Sequence, residues 1–253
     1  MEMNRQTLGQ RISLTLRAKQ YLVFFALLLF AIDFAAPPAA LWLHHHRPLV
    51  DLLSAASPLF AGLYSTPGAS LAALVVAELL LVAWLRCGYI RSIVGTLHFS
   101  PQNGSQFFSM VGLEVITEVV RWAGWLGYGA AGRSQGLGSV VYVVLLGVFF
   151  VLLYADYAIV ISGLDPVTAV RRSWTTATQN AFVSLVVLLG VTLISYLMAA
   201  LVDANMSGRP AALLPPMIIH LLAMGTVTFV ADVSLIVTYI ASVERGVVPP
   251  GRR

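Results

Sequence analysis

The chain has 253 residues, of which 58% are hydrophobic and only 10% charged, with a formal net charge of +4. So few charges cannot cover a water-soluble globule of this size, and the lone cysteine, Cys87, excludes an internal disulfide. The positive balance is almost all arginine, without the compact basic patches and interleaved aromatics of a nucleic-acid surface.

The chain opens on Arg5, Arg11, Arg17 and Lys19, with Leu8, Ile12 and Leu16 aligned at helical spacing and Arg11 and Arg17 off that face. A first span follows at about 21–43, interrupted by Asp33 and the Pro37, Pro38 pair. Its basic flank and small residues, Ala35, Ala36, Ala39 and Ala40, suit a cleaved signal peptide. The apolar stretch runs on to Leu43 and more spans follow, so an uncleaved span is the expectation. His44, His45 and His46 come next, but neighbours on a helix diverge by about 100° and only Asp51 is close in sequence. They read as an interfacial loop rather than a metal site.

The second span, about 69–93, carries Glu78 and Arg86 and a packing stripe of Ala69, Ala73 and Ala77. The third, about 107–128, holds Glu114, Glu118 and Arg121 on one helical face. The fourth, fifth and sixth fall at about 137–161, 181–202 and 216–243, the last with Asp232 embedded. Residues 134–155 and 173–202 contain no Asp, Glu, Lys or Arg. Each run exceeds the roughly 20 apolar residues that cross a hydrocarbon core of about 30 Å. Runs this long predict helices, since barrel strands alternate over about ten residues. The expected fold is therefore all-α: a single polytopic membrane domain of six helices, with no segment left over for a soluble domain of about 50 residues or more.

With six spans, one side holds Arg5, Arg11, Arg17, Lys19, Arg86, Arg91, Arg171, Arg172, Arg245, Arg252 and Arg253, and the other Arg47, Arg133 and Arg209. The positive-inside rule then places both termini in the cytoplasm. Each odd span is preceded by an amphipathic stretch. Before the fifth, Asp165 caps a helix with Pro166 in its first turn, and Val167, Val170, Trp174 and Ala177 share one side, flanked by Arg171 and Arg172. Before the third, Ser100 and Pro101 precede Phe107, Phe108 and Val111. Such arms lie in the headgroup layer, with Arg11, Arg17, Lys19, Arg171 and Arg172 toward anionic lipid. Three arm-plus-hairpin repeats describe the pattern; so do ordinary basic juxtamembrane segments.

The string Tyr154, Ala155, Asp156, Tyr157, then Gly163, Leu164, Asp165, then Arg171, Arg172, Ser173, Trp174 and Asn180 is more specific. It resembles a superfamily of polytopic bacterial membrane proteins. That superfamily includes the membrane domain attached to some glycerophosphodiester phosphodiesterases and uncharacterised stand-alone six-span proteins. The Leu8 to Arg17 arm and the Gly88, Tyr89, Ile90, Arg91 stretch are similar to its earlier elements. The resemblance implies a six-helix architecture. The phosphodiesterase chemistry resides in a soluble barrel with no counterpart here, so the resemblance implies no enzymatic activity.

Charges inside spans cost roughly 2.5–3.5 kcal/mol at the centre on insertion scales, so each invites a role. Glu114, Glu118 and Arg121 can line a polar path or neutralise one another within the helix. Glu78 and Asp232, near mid-span, can share a proton or cation or bond to nearby hydroxyls such as Thr226, Thr228 and Ser234, and Asp33 is a further candidate acid in the first span. Asp156 is expected to form a charge clamp with Arg86 or Arg91. His98 and His220 are isolated, and no phosphate loop, nucleophile motif or zinc helix is present. No catalytic residue, metal or cofactor is expected. The reading is a non-enzymatic membrane interaction or lipid-organising module; the alternative is a secondary transporter built on the intramembrane carboxylates. Membrane lipids are the expected partners, with a second copy or another membrane protein also compatible.

Overall fold

A computed structural model of the protein describes residues 7–32, 69–95, 106–130, 135–205 and 210–246. Among these residues the chain is all-helical. Asp33, the three consecutive histidines, Ser100 and Pro101, and the second half of the first expected span lie outside the described residues. The helices are α1 (Leu8–Ala18), α2 (Gln20–Ile32), α3 (Ala69–Val94), α4 (Gln106–Ala130), α5 (Gln135–Leu152), α6 (Ala155–Ser162), α7 (Pro166–Gln179), α8 (Ala181–Asn205) and α9 (Pro210–Glu244).

Three stretches are long and apolar enough to cross a membrane: Ser139–Ser162, Ala181–Met198 and Pro215–Glu244. Leu8–Ala18 and Gln20–Ile32 make a fourth if the bent pair counts as one span. Exposure supports the same medium. On α8, Phe182 is 82% exposed and Tyr196 70%, with Leu185, Val186, Leu189, Leu193 and Leu197 also open. In water such a face would be an aggregation surface; in hydrocarbon it costs nothing. The helices expected at 69–93 and 107–128 form as α3 and α4, each carrying several charged residues.

The chain divides into two compact units. Unit 1 comprises Met1–Lys19, Arg86–Leu189 and Ala231–Arg253; unit 2 comprises Gln20–Leu85 and Gly190–Val230. Within unit 2, Gly225 permits close backbone approach, since a Cβ there would stand 2.9 Å from the Leu27 Cα. Phe30 and His220 stack beside it, ring centroids 5.6 Å apart.

Unit 1 is organised around α6. Ala155, Tyr157, Ala158, Ile159, Val160, Ile161 and Ser162 are all buried, so this helix is enclosed on every side. Its bounds are local chemistry. The span Ser139–Ser162 is interrupted at Leu153 and Tyr154, where the Tyr154 N–H donates to the Ser173 hydroxyl at 2.8 Å. At the other end Gly163 adopts φ 66, the left-handed conformation that favours glycine, and its N–H donates to the Ile159 carbonyl. Two residues on, Asp165 caps α7 by accepting from the Thr168 N–H at 3.1 Å, and Pro166 occupies the first turn, where its missing N–H is harmless. Gly112 on α4 lets Pro166 approach; a Cβ there would lie 2.9 Å from the Pro166 Cγ.

The buried face of α7 is Ala169, Ser173, Thr176 and Ala177. Of the side chains expected to share an apolar side, Ala177 is buried, whereas Val167 and Trp174 are 58% and 49% exposed. Small side chains let α7 lie close to its neighbours, while the bulky ones are left outside. α1 begins with a capping box: the Thr7 hydroxyl accepts from the Gln10 N–H, and the Gln10 side chain accepts from the Thr7 N–H. Arg11 on α1 pairs with Glu244 at the end of α9, 2.7 Å apart.

Candidate functional site: one arginine between two aspartates

Within unit 1, Arg86 on α3 meets Asp156 on α6 and Asp232 on α9. Its Nε and Nη2 donate to Asp156 Oδ2 at 2.9 and 2.6 Å. Its Nη1 and Nη2 donate to Asp232 Oδ2 and Oδ1, both at 2.7 Å. The latter is the bidentate fork that a planar guanidinium makes with a carboxylate. Tyr157 completes the group: its hydroxyl donates to Asp232 Oδ1 at 2.5 Å, and its N–H donates to Asp156 Oδ1 at 2.9 Å. Every carboxylate oxygen of the pair therefore accepts at least one hydrogen bond. The Arg86 Cζ stands 5.6 Å from the Tyr89 ring centroid and 5.8 Å from that of Tyr157, within cation–π range.

The sequence explains why the three meet. Asp156 lies in the first turn of α6, where the helix dipole favours an anion. The break at Tyr154 starts that turn there. Asp232 is almost fully buried, with 5% of its side chain exposed, against 18% for Arg86 and 16% for Asp156. An unpaired charge so placed costs several kcal/mol, so the cluster joins three helices by making each charge depend on the others.

Arg91, the other partner expected for Asp156, turns elsewhere. Its Nε and Nη2 donate to Gln106 Oε1 at 3.1 and 2.6 Å. The Gln106 amide in turn donates to the Val160 carbonyl at 3.0 Å, linking α3, α4 and α6 without a carboxylate. Asp232, read in the sequence beside Glu78, is held by Arg86 and Tyr157. Glu78 is half-buried and belongs to unit 2. Glu114 and Glu118 are half-buried on α4, and the Arg121 side chain lies outside the described residues.

A second, uncharged network takes up most of the remaining string residues. The Tyr154 and Ser184 hydroxyls share a hydrogen bond at 3.1 Å, and Ser184 also bonds to the Ala177 and Asn180 carbonyls. The Asn180 amide donates to the Thr176 carbonyl and the Ser242 hydroxyl, 2.9 and 3.0 Å. Ser162 and Tyr239 share a hydrogen bond at 2.9 Å. Tyr154, Asp156, Tyr157, Asp165, Ser173 and Asn180 thus all serve the packing of unit 1. Trp174 sets its ring edge-on to Phe150 at 6.1 Å. Arg171 is exposed and Arg172 half-buried.

Sequence reasoning missed Gln106, Ser184 and Ser242. The i, i+4 spacing of Asn180 and Ser184 was available; nothing in the sequence sets Gln106 apart. Among the described residues, no three His, Cys, Asp or Glu side chains gather as metal ligands. No protein-family model, curated protein or solved structure matches the chain.

Proposed function

We propose that this is a non-enzymatic multi-pass protein of a bacterial cytoplasmic membrane, a lipid-organising or protein-interaction module. In this reading six helices span, both termini are cytoplasmic, and α1 and α7 lie in the headgroup layer. The superfamily resemblance of the 154–180 string points the same way. One observation carries the reading most: α7 is bonded into unit 1 by its small face, leaving Arg171 outward beside Val167 and Trp174. A basic side chain flanked by exposed apolar ones suits the boundary between anionic headgroups and acyl chains. Arg17 on α1 is exposed as well.

The test is lipid selectivity in nanodiscs of mixed phosphatidylglycerol and phosphatidylcholine, read by tryptophan quenching with brominated forms of each lipid. The double variant Arg17→Gln, Arg171→Gln should lose preference for the anionic lipid, most visibly at low salt. Unchanged preference contradicts the module reading.

A second reading, a transporter component, draws on the break in the Ser139–Ser162 span beside Asp156, because interrupted helices place half-helix ends against charge in transporters. Solute uptake abolished by Glu78→Gln or Asp232→Asn at normal expression would favour it.

A further inference from the structure

The charges of the Arg86 cluster do not balance. Two carboxylates, Asp156 and Asp232, share the one guanidinium of Arg86. Tyr157 adds a hydroxyl and an N–H, both neutral donors. Nearby, Arg91 on α3 and Glu114 on α4 lie within electrostatic range of Cys87, together with Arg86 and Asp156. Arg91 is exposed and gives its guanidinium to Gln106. Counting these neighbours, two arginines (86 and 91) stand against three acids (114, 156 and 232), so the excess stays at one negative charge. On α7, Arg172 lies toward Tyr239, and α5 offers only the exposed Tyr142.

Two carboxylates crowded on one cation repel, and a proton on one of them removes that repulsion. The hydrogen bonds state which. Asp232 takes the Arg86 fork on both oxygens and the Tyr157 hydroxyl as well. Tyr89 stands within electrostatic range of Asp232, and its buried hydroxyl has no other partner. Donors gathered in this way favour the ionised form of Asp232. On Asp156, both Arg86 N–H groups fall on Oδ2, and Oδ1 accepts only from the adjacent Tyr157 N–H. The Asp156 side chain is also the more open, 16% exposed against 5%, so water can exchange a proton with it. We propose that the cluster is a binding site for one proton, held on Asp156 Oδ1 at neutral pH and released to water when the pH is raised. The site is independent of the membrane-surface reading of α1 and α7 and needs no transported solute.

Infrared difference spectroscopy of the full chain in nanodiscs, stepped from neutral to alkaline pH, reads this proton as the C=O band of a carboxylic acid. The parent should lose a component of that band, with a matching gain of carboxylate signal, that Asp156→Asn lacks at either pH. Asp232→Asn should lack it too, because Arg86 alone then keeps Asp156 ionised. A band step unchanged by Asp156→Asn overturns the site. The thermal midpoint is the second readout. A proton bound by the folded chain and not by the unfolded chain adds stability that is lost as rising pH removes it. The parental midpoint should therefore fall from neutral to alkaline pH by more than that of Asp156→Asn. At neutral pH the asparagine, which keeps an acceptor for Arg86, should stay near the parental midpoint. A fall there as large as that of Asp232→Asn, or failure to fold, overturns the proposal, since an already neutral residue should tolerate an amide. Sodium that raises the neutral-pH midpoint of the parent but not of Asp156→Asn, at fixed ionic strength, would also overturn it. A metal cation would then occupy the place given to the proton.

Discussion

α6 and α8 are both apolar helices, yet they meet opposite surroundings. α6 is enclosed, its Ile159 and Ala158 without measurable exposure, while α8 leaves Phe182, Leu193 and Tyr196 outside. Hydrophobicity does not separate them. Polar side chains do: α6 carries Asp156, Tyr157 and Ser162, each of which needs a partner that lipid cannot supply, and finds Arg86, Asp232 and Tyr239. On the described part of α8 the buried polar group is Ser184, at the end that joins unit 1. In a membrane the hydrophobic effect places a helix in the bilayer, and hydrogen bonds and close packing decide which helix is enclosed by the others.

The largest effect in breaking that contrast belongs to Arg86. Arg86→Leu leaves Asp156 and Asp232 without their cation and should cost about 3–5 kcal/mol, read as a loss of thermal midpoint in detergent. A midpoint like that of the parent would mean that the acids find other partners. Next is a matched pair of truncations. Ile159→Ala on α6 should cost about 2–5 kcal/mol by opening a cavity, whereas Leu189→Ala, 55% exposed on α8, should stay within about 0.5 kcal/mol. Equal costs would erase the distinction between the two helices.

Ser173→Ala removes the acceptor of the Tyr154 N–H at the break before α6 and should cost about 1–3 kcal/mol, with faster amide exchange at Tyr154. The smallest effect is at Asp165. Hydrogen bonds from Thr168, through its side chain and its backbone N–H, hold this exposed carboxyl below the usual range. Its contribution is thus present above the unfolded carboxyl pKa, about 3.9, and lost as pH falls through the folded value. Asp165→Ala should cost about 1 kcal/mol at neutral pH, with the difference from the parent closing in acid.

Much of unit 1 was legible from residue chemistry. Asp165 followed by Pro166 marked the start of α7, and a cation for Asp156 was required by the cost of a lone charge in a span. That one guanidinium would hold both Asp156 and Asp232 was not legible, because Arg86 and Asp232 are far apart in sequence and depth alone does not choose a partner. The interruption at Leu153 and Tyr154 contains neither proline nor glycine, so no local signal marks it; the Ser173 hydroxyl nineteen residues on supplies the bond. The packed face of α7 follows a related preference. Apolar periodicity groups Val167 with Ala177, but close packing selects small side chains and leaves the large ones outside.

The proposed division of labour is that the Arg86 cluster holds helices together and that lipid recognition lies elsewhere, on the arms. Asp232→Asn, studied in nanodiscs for both thermal midpoint and lipid preference, tests it most directly. The midpoint should fall while preference for phosphatidylglycerol stays at the parental level. A parental midpoint with altered lipid preference or a new solute response would contradict the account and make the cluster a ligand site.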